Sequence, residues 1–484
     1  MLRSAVLLLS SNLVASVLLL ARNLLLARLV PVADYGIAST FAVVIAVIEM
    51  MTQLGLQQQI VQSKDGDDPR LQAVLQGFQL IRGLIAGAVL VAIAGPAAQF
   101  MGVPGATASY RLLGLVPVLN ALVHFDIYRL QRRMVFLPQV LSTSLPAALS
   151  LAALWPLATV AADYRILLWA ILLQYAAMVV ISHLLAERRW RLGFDRRIIA
   201  ESSRFGAPLL INGILLFAVF NGERVIVGRE LGMEVLAILS MGLTLTLTPT
   251  QVLARSVQSL FLPRLSSARP AAGAEPATAG GRSWGAAFDR LALASFQLHL
   301  LLALAVIVAV AVLGPPAVLW LFGEKYAALP PILIWLAIQQ GLRLYRGGPT
   351  TVALARGQTG NAMWANLPRV ALIGLAWWWL VQGAGLLEVV LLGVLGEAVG
   401  CLVAFALVRQ RLGVPLLPLL PSTLAAVLVM ALAGGVASPE LRPAALSPLW
   451  FEAGVVLAFL AALACFRPLW RVGLRRRRAE GRQA

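Results

Sequence analysis

The chain has 484 residues, of which 60% are hydrophobic and only 12% charged, and its mean hydropathy is +0.85. So little polar surface cannot cover a soluble core of this size, which excludes a soluble globular protein and predicts an all-α polytopic membrane protein. Basic residues outnumber acidic ones 39 to 21, a net charge of +18, yet no basic run is interleaved with aromatics on a soluble module, so a nucleic-acid partner is excluded and the bilayer is the expected one.

The first apolar run, 4–28, lacks a small-x-small cleavage site beside a short apolar region and reads as a retained first helix. Further runs follow at 34–60, 71–94, 108–128, 138–160 and 166–185. A second series occupies 205–227, 235–260, 288–313, 332–354, 361–382 and 386–408, and shorter runs lie at 416–432 and 449–465. These predict about 14 transmembrane helices, since a hydrocarbon core of about 30 Å takes about 20 residues at 1.5 Å each. Between the sixth and seventh runs, residues 187–204 alternate basic and apolar residues and predict an amphipathic helix on the membrane surface. Residues 264–287 are rich in small residues and breakers without apolar periodicity, which predicts a flexible loop, and 467–484 form a basic tail.

The basic residues fall in alternate connections. Arg129, Arg132, Arg133, the cluster from Arg188 to Arg204, Arg409, Arg411 and Arg475 to Arg478 collect on one side, while the other keeps little beyond Arg28, Arg111, Arg165, Arg229, Lys325 and Arg442. The positive-inside rule then predicts that both termini are cytoplasmic. Residues 22–39 and 223–240 align as the ends of a first and a seventh helix, each with a polar pair, an apolar stretch and Arg28 or Arg229 before a turn. This weak repeat predicts two parallel six-helix lobes around a central cavity, 1–186 and 205–411, plus two additional helices within 412–466.

Arginines inside the apolar runs carry the functional signal. Each costs roughly 3 kcal/mol at a bilayer centre, so Arg22, Arg82, Arg224, Arg343 and Arg346 need water, a carboxylate or an anionic ligand, and Arg255 lies near the end of its run. Arg82 and Arg343 fall about 11 residues, roughly 16 Å, into their helices, and Arg343 and Arg346 share a face. Guanidinium forks match phosphate oxygens, so a diphosphate is the expected ligand class. Glu49, Asp126, Glu223 and Glu397 are intramembrane acids able to hold a coupling proton or sodium ion, or to pair with an arginine; Asp126 has Arg129 one turn on. Asn12 and Asn212 read equally as sugar contacts or as interhelical hydrogen bonds. Arg369 follows Pro368 and has no assignment. Cys401 and Cys465 lie far apart in apolar runs, and His124, His183 and His299 occur singly, so no metal or catalytic set and no cofactor is predicted.

The pattern Ala27-Arg28-Leu29-Val30 with Asp34-Tyr35-Gly36, then Gln53-Leu54-Gly55-Leu56, Phe205-Gly206-Ala207-Pro208, Arg224-Val225-Ile226-Val227-Gly228-Arg229, Phe261-Leu262-Pro263-Arg264 and Phe322-Gly323-Glu324-Lys325-Tyr326 resembles the polysaccharide and O-antigen flippases of the multidrug/oligosaccharidyl-lipid/polysaccharide exporter superfamily. Family members often carry Asp ahead of the Arg224 pattern, where this chain has Asn221-Gly222-Glu223. The resemblance implies a non-enzymatic flippase of the bacterial inner membrane. It would move polyprenyl-diphosphate-linked oligosaccharide repeat units to the periplasmic leaflet by alternating access, alongside a polysaccharide polymerase and chain-length machinery. A cation-coupled multidrug antiporter would instead show a carboxylate-rich cavity, and a membrane polymerase would need a sizeable external loop with catalytic acids.

Overall fold

The computed structural model describes the backbone of residues 2–52, 56–63, 65–268, 285–438 and 448–466, and their side chains except 2–12, 48–52, 58, 62, 204–212 and 448. The described residues form helices joined by short turns. In chain order these are α1 Leu2–Leu29, α2 Val32–Thr52, α3 Leu56–Gln62, α4 Pro69–Phe100, α5 Thr107–Leu113, α6 Leu115–Ala121, α7 Asp126–Arg132, α8 Leu137–Ala152, α9 Leu154–Val160, α10 Arg165–Leu184 and α11 Arg196–Glu230. There follow α12 Gly232–Ser267, α13 Ala286–Phe322, α14 Leu329–Leu354, α15 Gly360–Val381, α16 Leu386–Leu412, α17 Leu420–Ala437 and α18 Pro448–Ala462. Large apolar side chains such as Val160, Trp320 and Leu402 stand exposed along these helices, which only a lipid environment makes favourable.

Among the described residues every predicted apolar run falls mainly on helix, although several are interrupted. The run 108–128 is divided among α5, α6 and the start of α7, and Pro104–Ala121 and Asp126–Arg132 are bent by 47°. At that bend the Asp126 amide donates to His124 Nδ1, a side-chain acceptor in place of a helical carbonyl. Seven described helices are long and apolar enough to cross a membrane, and the bent pair makes an eighth if it is one span. Among the described residues α14 is not one of them, because Arg343, Arg346 and the neighbouring glutamines lower its mean hydropathy, while α1, α2 and α11 each include side chains outside the described residues; the described helices do not by themselves reach fourteen spans.

Two compact units divide the chain, Met1–Met241 and Gly242–Ala484, with the boundary inside α12. This differs from the expected break in the 187–204 connection, because α11 packs against α2 and α4 and so belongs with the helices before it. In the first unit α8 packs against both α1 and α10, and α4 against α5 and α6. In the second, α13, α14 and α16 pack in turn, α15 lies on α16, and α17 and α18 pair against α13.

Residues 187–204 are not one amphipathic helix. The stretch from Glu187 to Phe194 is irregular, and α11 begins at Arg196 behind the N-cap Asp195, whose carboxylate accepts from the Arg197 and Ile198 amides. The irregular part is tied down: the Glu187 and Arg188 amides donate to Asp126, and the Gly193 amide donates to the Ala73 carbonyl of α4. Those long-range acceptors outcompete a local helix that would have left its charged face without partners. The expected flexible loop also starts later than 264, since α12 is helical to Ser267; residues 269–284 and the basic tail 467–484 lie outside the described residues.

Candidate anion-binding site

In the second unit, α14, α15 and α16 bring three arginines onto one carboxylate. Arg343 and Arg346, one turn apart on α14, face Glu397 of α16 with Arg343 Nε 2.5 Å from Oε1 and Arg346 Nε 3.4 Å from Oε2. Arg369 of α15 places Nη2 2.6 Å from Oε1. The Arg346 contact is an ion pair too poorly aligned to be a hydrogen bond. Asn366, one turn before Arg369, accepts from Arg346 at 2.8 Å and from Arg369 at 3.2 Å through the same Oδ1. Glu397 is fully buried, whereas Arg343 keeps 13% of its side chain exposed.

The local sequence explains the convergence. Glu397 sits inside Gly396-Glu397-Ala398-Val399-Gly400, a small-xxx-small stretch that lets two membrane helices approach closely. A Cβ on Gly400 would meet the Ala365 carbonyl oxygen at 2.6 Å, so only glycine permits α15 to bring Arg369 this near. Pro368 removes one ladder donor just before Arg369. Three guanidinium groups against one carboxylate leave an excess of two positive charges in the cluster. Such an arrangement binds a multiply charged anion such as a diphosphate far better than it binds a cation.

Among the acids expected to hold a coupling ion, Glu397 has Oε1 bonded by Arg343 and Oε2 within ion-pair distance of Arg346. Asp126 is likewise committed: it accepts from Arg129 Nε at 2.5 Å and Nη2 at 3.1 Å, and Arg129 also reaches Glu187 at 2.8 Å. Glu223 is buried on α11. The side chains of Asn12, Glu49 and Asn212 lie outside the described residues.

The arginines of the first unit have other contacts. Arg22 is buried and donates through Nη1 to Ser150 Oγ at 2.9 Å and Gln174 Oε1 at 2.7 Å, so α1, α8 and α10 meet at its guanidinium. Among the described residues no carboxylate lies within ion-pair distance of it. Arg82 stacks over the Phe78 ring one turn earlier, 5.5 Å from its centroid. Arg224 donates to Asn221 at 3.4 Å. In the second unit, Arg255 is exposed on α12, twelve residues before the helix ends at Ser267 rather than near its end as expected. Sequence reasoning missed Arg369 and Asn366; their spacing of three, one turn of α15, was the available signal.

A cavity of about 670 Å³ lies beside this cluster, walled by α13, α14, α16 and α17. Its lining is almost wholly apolar, including Leu342, Leu402, Phe405 and Met430, with Arg409 as its charged member. Tyr345, Ala398 and Cys401, close in sequence to Arg346 and Glu397, form part of its wall, but the cluster arginines do not line it.

Residues 25–331 match the model of a family described as polysaccharide biosynthesis protein. The chain belongs to that family. The resemblance read from the sequence motifs is thus confirmed over nearly two-thirds of the chain. No curated protein matches it in sequence. Among solved structures, the inward closed conformation of the lipid II flippase MurJ matches this family member with a TM-score of 0.67 at 14% identity, covering 96% of this chain and 99% of that one. An inward-facing multidrug resistance MATE family transporter of the MOP superfamily matches with a TM-score of 0.62 at 16% identity, covering 82% and 94%. An outward-facing one gives 0.56 at 16% identity, covering 85% and 95%. At these identities the likeness is one of fold: this polysaccharide biosynthesis family member is a multi-pass, all-helical membrane protein with the MATE and MurJ architecture.

Proposed function

We propose that the protein is a flippase that moves a polyprenyl-diphosphate-linked oligosaccharide from the cytoplasmic to the periplasmic leaflet of a bacterial inner membrane, with both termini in the cytoplasm. The observation that carries this reading is the excess of two positive charges where Arg343, Arg346 and Arg369 share Glu397 inside the membrane-spanning helices. A diphosphate brings about two negative charges and oxygens suited to guanidinium forks. Membership of a polysaccharide biosynthesis family and a fold shared with the lipid II flippase MurJ support the same substrate class. Translocation breaks no covalent bond, so the protein needs to bind, reorient and release, and alternating access between two states suffices. Arg22, a buried cation bonded to a hydroxyl and an amide oxygen, is the first-unit arginine that would meet the head group in such a cycle. Proton or sodium coupling belongs to the same proposal, with Glu223, buried on α11, as a candidate acid.

The test is leaflet transfer in proteoliposomes carrying a fluorescent polyprenyl-diphosphate oligosaccharide. Wild-type protein should move the lipid, and Arg343→Ala should slow it at least tenfold while reconstituting equally well, since a charge-assisted contact contributes about 1.5–3 kcal/mol. Ion-driven efflux of an organic cation, with no movement of the lipid, would establish the antiporter reading instead.

A further inference from the structure

A second basic site lies in the first unit, at the connection before α11. The irregular stretch from Glu187 to Phe194 runs beside the first turns of α4, and a cavity of about 230 Å³, open on one side, lies there, lined by Pro69, Gln72, Gln76, Arg188, Arg189 and Arg191 among others. That is the volume of about eight waters at liquid density, room for a phosphate group with its hydration but not for an oligosaccharide.

The charges around it are unevenly spent. Asp126 and Glu187 are taken by Arg129, Asp67 by Arg132 and Arg133, and Asp195 by Arg70. Arg188 is held by neutral acceptors, Gln72 Oε1 at 3.2 Å and the Asp67 carbonyl at 2.9 Å, which fix its guanidinium against the cavity. Among the described residues, Arg188, Arg189 and Arg191 have no carboxylate within ion-pair distance. Gln76 is 1% exposed, lines the same cavity, and its Nε2 has no hydrogen-bond partner among the described residues. A buried amide donor without an acceptor costs about 1–3 kcal/mol, which an anion in the cavity would relieve.

The frame is rigid enough to keep these groups together. The Gly193 amide is bonded to Ala73 at 2.9 Å, and a Cβ on Gly77 would lie 2.3 Å from the Gly193 carbonyl oxygen, so backbone touches backbone along α4.

We propose that this cavity is a phosphate-binding site, distinct from the Glu397 cluster, that takes the phosphate of an anionic phospholipid head group or free phosphate. The proposal is independent of what the protein transports. Its test uses the full-length protein in phosphatidylcholine nanodiscs with and without phosphatidylglycerol, with retained phosphatidylglycerol read by native mass spectrometry and inorganic phosphate binding read by calorimetry. Arg189→Ala/Arg191→Ala and the near-isosteric Gln76→Glu should each weaken retention about tenfold or more. Arg196→Ala/Arg197→Ala, which removes the same charge from exposed positions outside the cavity, should weaken it far less. Loss of both probes in the cavity variants supports a site that reads phosphate itself, and loss of the lipid alone identifies the head group as the source. Equal loss in the cavity and control variants, or none in either, overturns the proposal.

Discussion

Glu397 and Arg369 are 28 residues apart in sequence and 2.6 Å apart in the fold, and their contact joins α15 to α16 at the same carboxylate that receives Arg343 and Arg346 from α14. One buried acid thereby holds three helices through charge. The cluster is both a structural joint and a surplus of positive charge, and variants can separate the two roles.

Glu397→Gln should destabilise the protein strongly. It removes the carboxylate that Arg343, Arg346 and Arg369 share, and breaking a buried pair from one side costs about 3–5 kcal/mol. Thermal unfolding of the purified protein should shift down by several degrees and membrane abundance should fall. A variant as stable and abundant as wild type would remove Glu397 from its role as shared counter-ion.

Gly400→Val should act on the same joint through sterics. The added Cβ meets the Ala365 carbonyl oxygen at 2.6 Å, so α15 must move away and carry Arg369 with it. A loss of about 1–3 kcal/mol, in the range of overpacking, is expected in thermal unfolding. Combined with Arg369→Ala it should cost less than the sum of the two single changes, since both break one contact.

Arg22→Met should leave stability unchanged or raised while lowering transport. The guanidinium is buried on Ser150 and Gln174 with no carboxylate in ion-pair distance among the described residues, and replacing buried charge by apolar side chains of similar volume is often neutral or favourable. Unfolding temperature and leaflet transfer measured on the same preparation decide it. A destabilised variant would make Arg22 a packing residue.

Gly77→Ala should loosen the strap formed by Glu187 to Phe194. Its Cβ would lie 2.3 Å from the Gly193 carbonyl oxygen, so the Gly193–Ala73 hydrogen bond must lengthen or break. Amide exchange at residues 187–194 should quicken at least tenfold, with the rest of α4 unchanged. Unaltered exchange would show that the strap accommodates the methyl group.

The start of α11 should loosen in acid. The Arg197 and Ile198 amides donate to Asp195, and with the Arg70 guanidinium they hold its carboxyl below the usual carboxylate range. A group whose folded pKa is depressed stabilises above its unfolded value, near 4, and that contribution disappears as pH falls through the folded value. Amide exchange at Arg197 and Ile198 should therefore rise as pH falls below about 4 relative to the intrinsic rate. Asp195→Asn, which still caps but does not titrate, should abolish that acid dependence.

The sequence by itself determined the solvent, the helical class and the position of nearly every apolar run, because hydropathy and the 1.5 Å rise per residue are local properties of a segment. It also marked Arg343, Arg346 and Glu397, since a charge in an apolar run stands out wherever the helix goes. What tertiary structure decided was partnership. Arg369 and Asn366 joined the site because Gly400 lets α15 approach α16, Arg22 found Ser150 and Gln174 more than a hundred residues away, and Glu187 to Phe194 became a strap rather than a helix because Asp126 and Ala73 offered its amides better acceptors. Each of those outcomes depends on distances between segments remote in sequence, and helical periodicity carries no information about them.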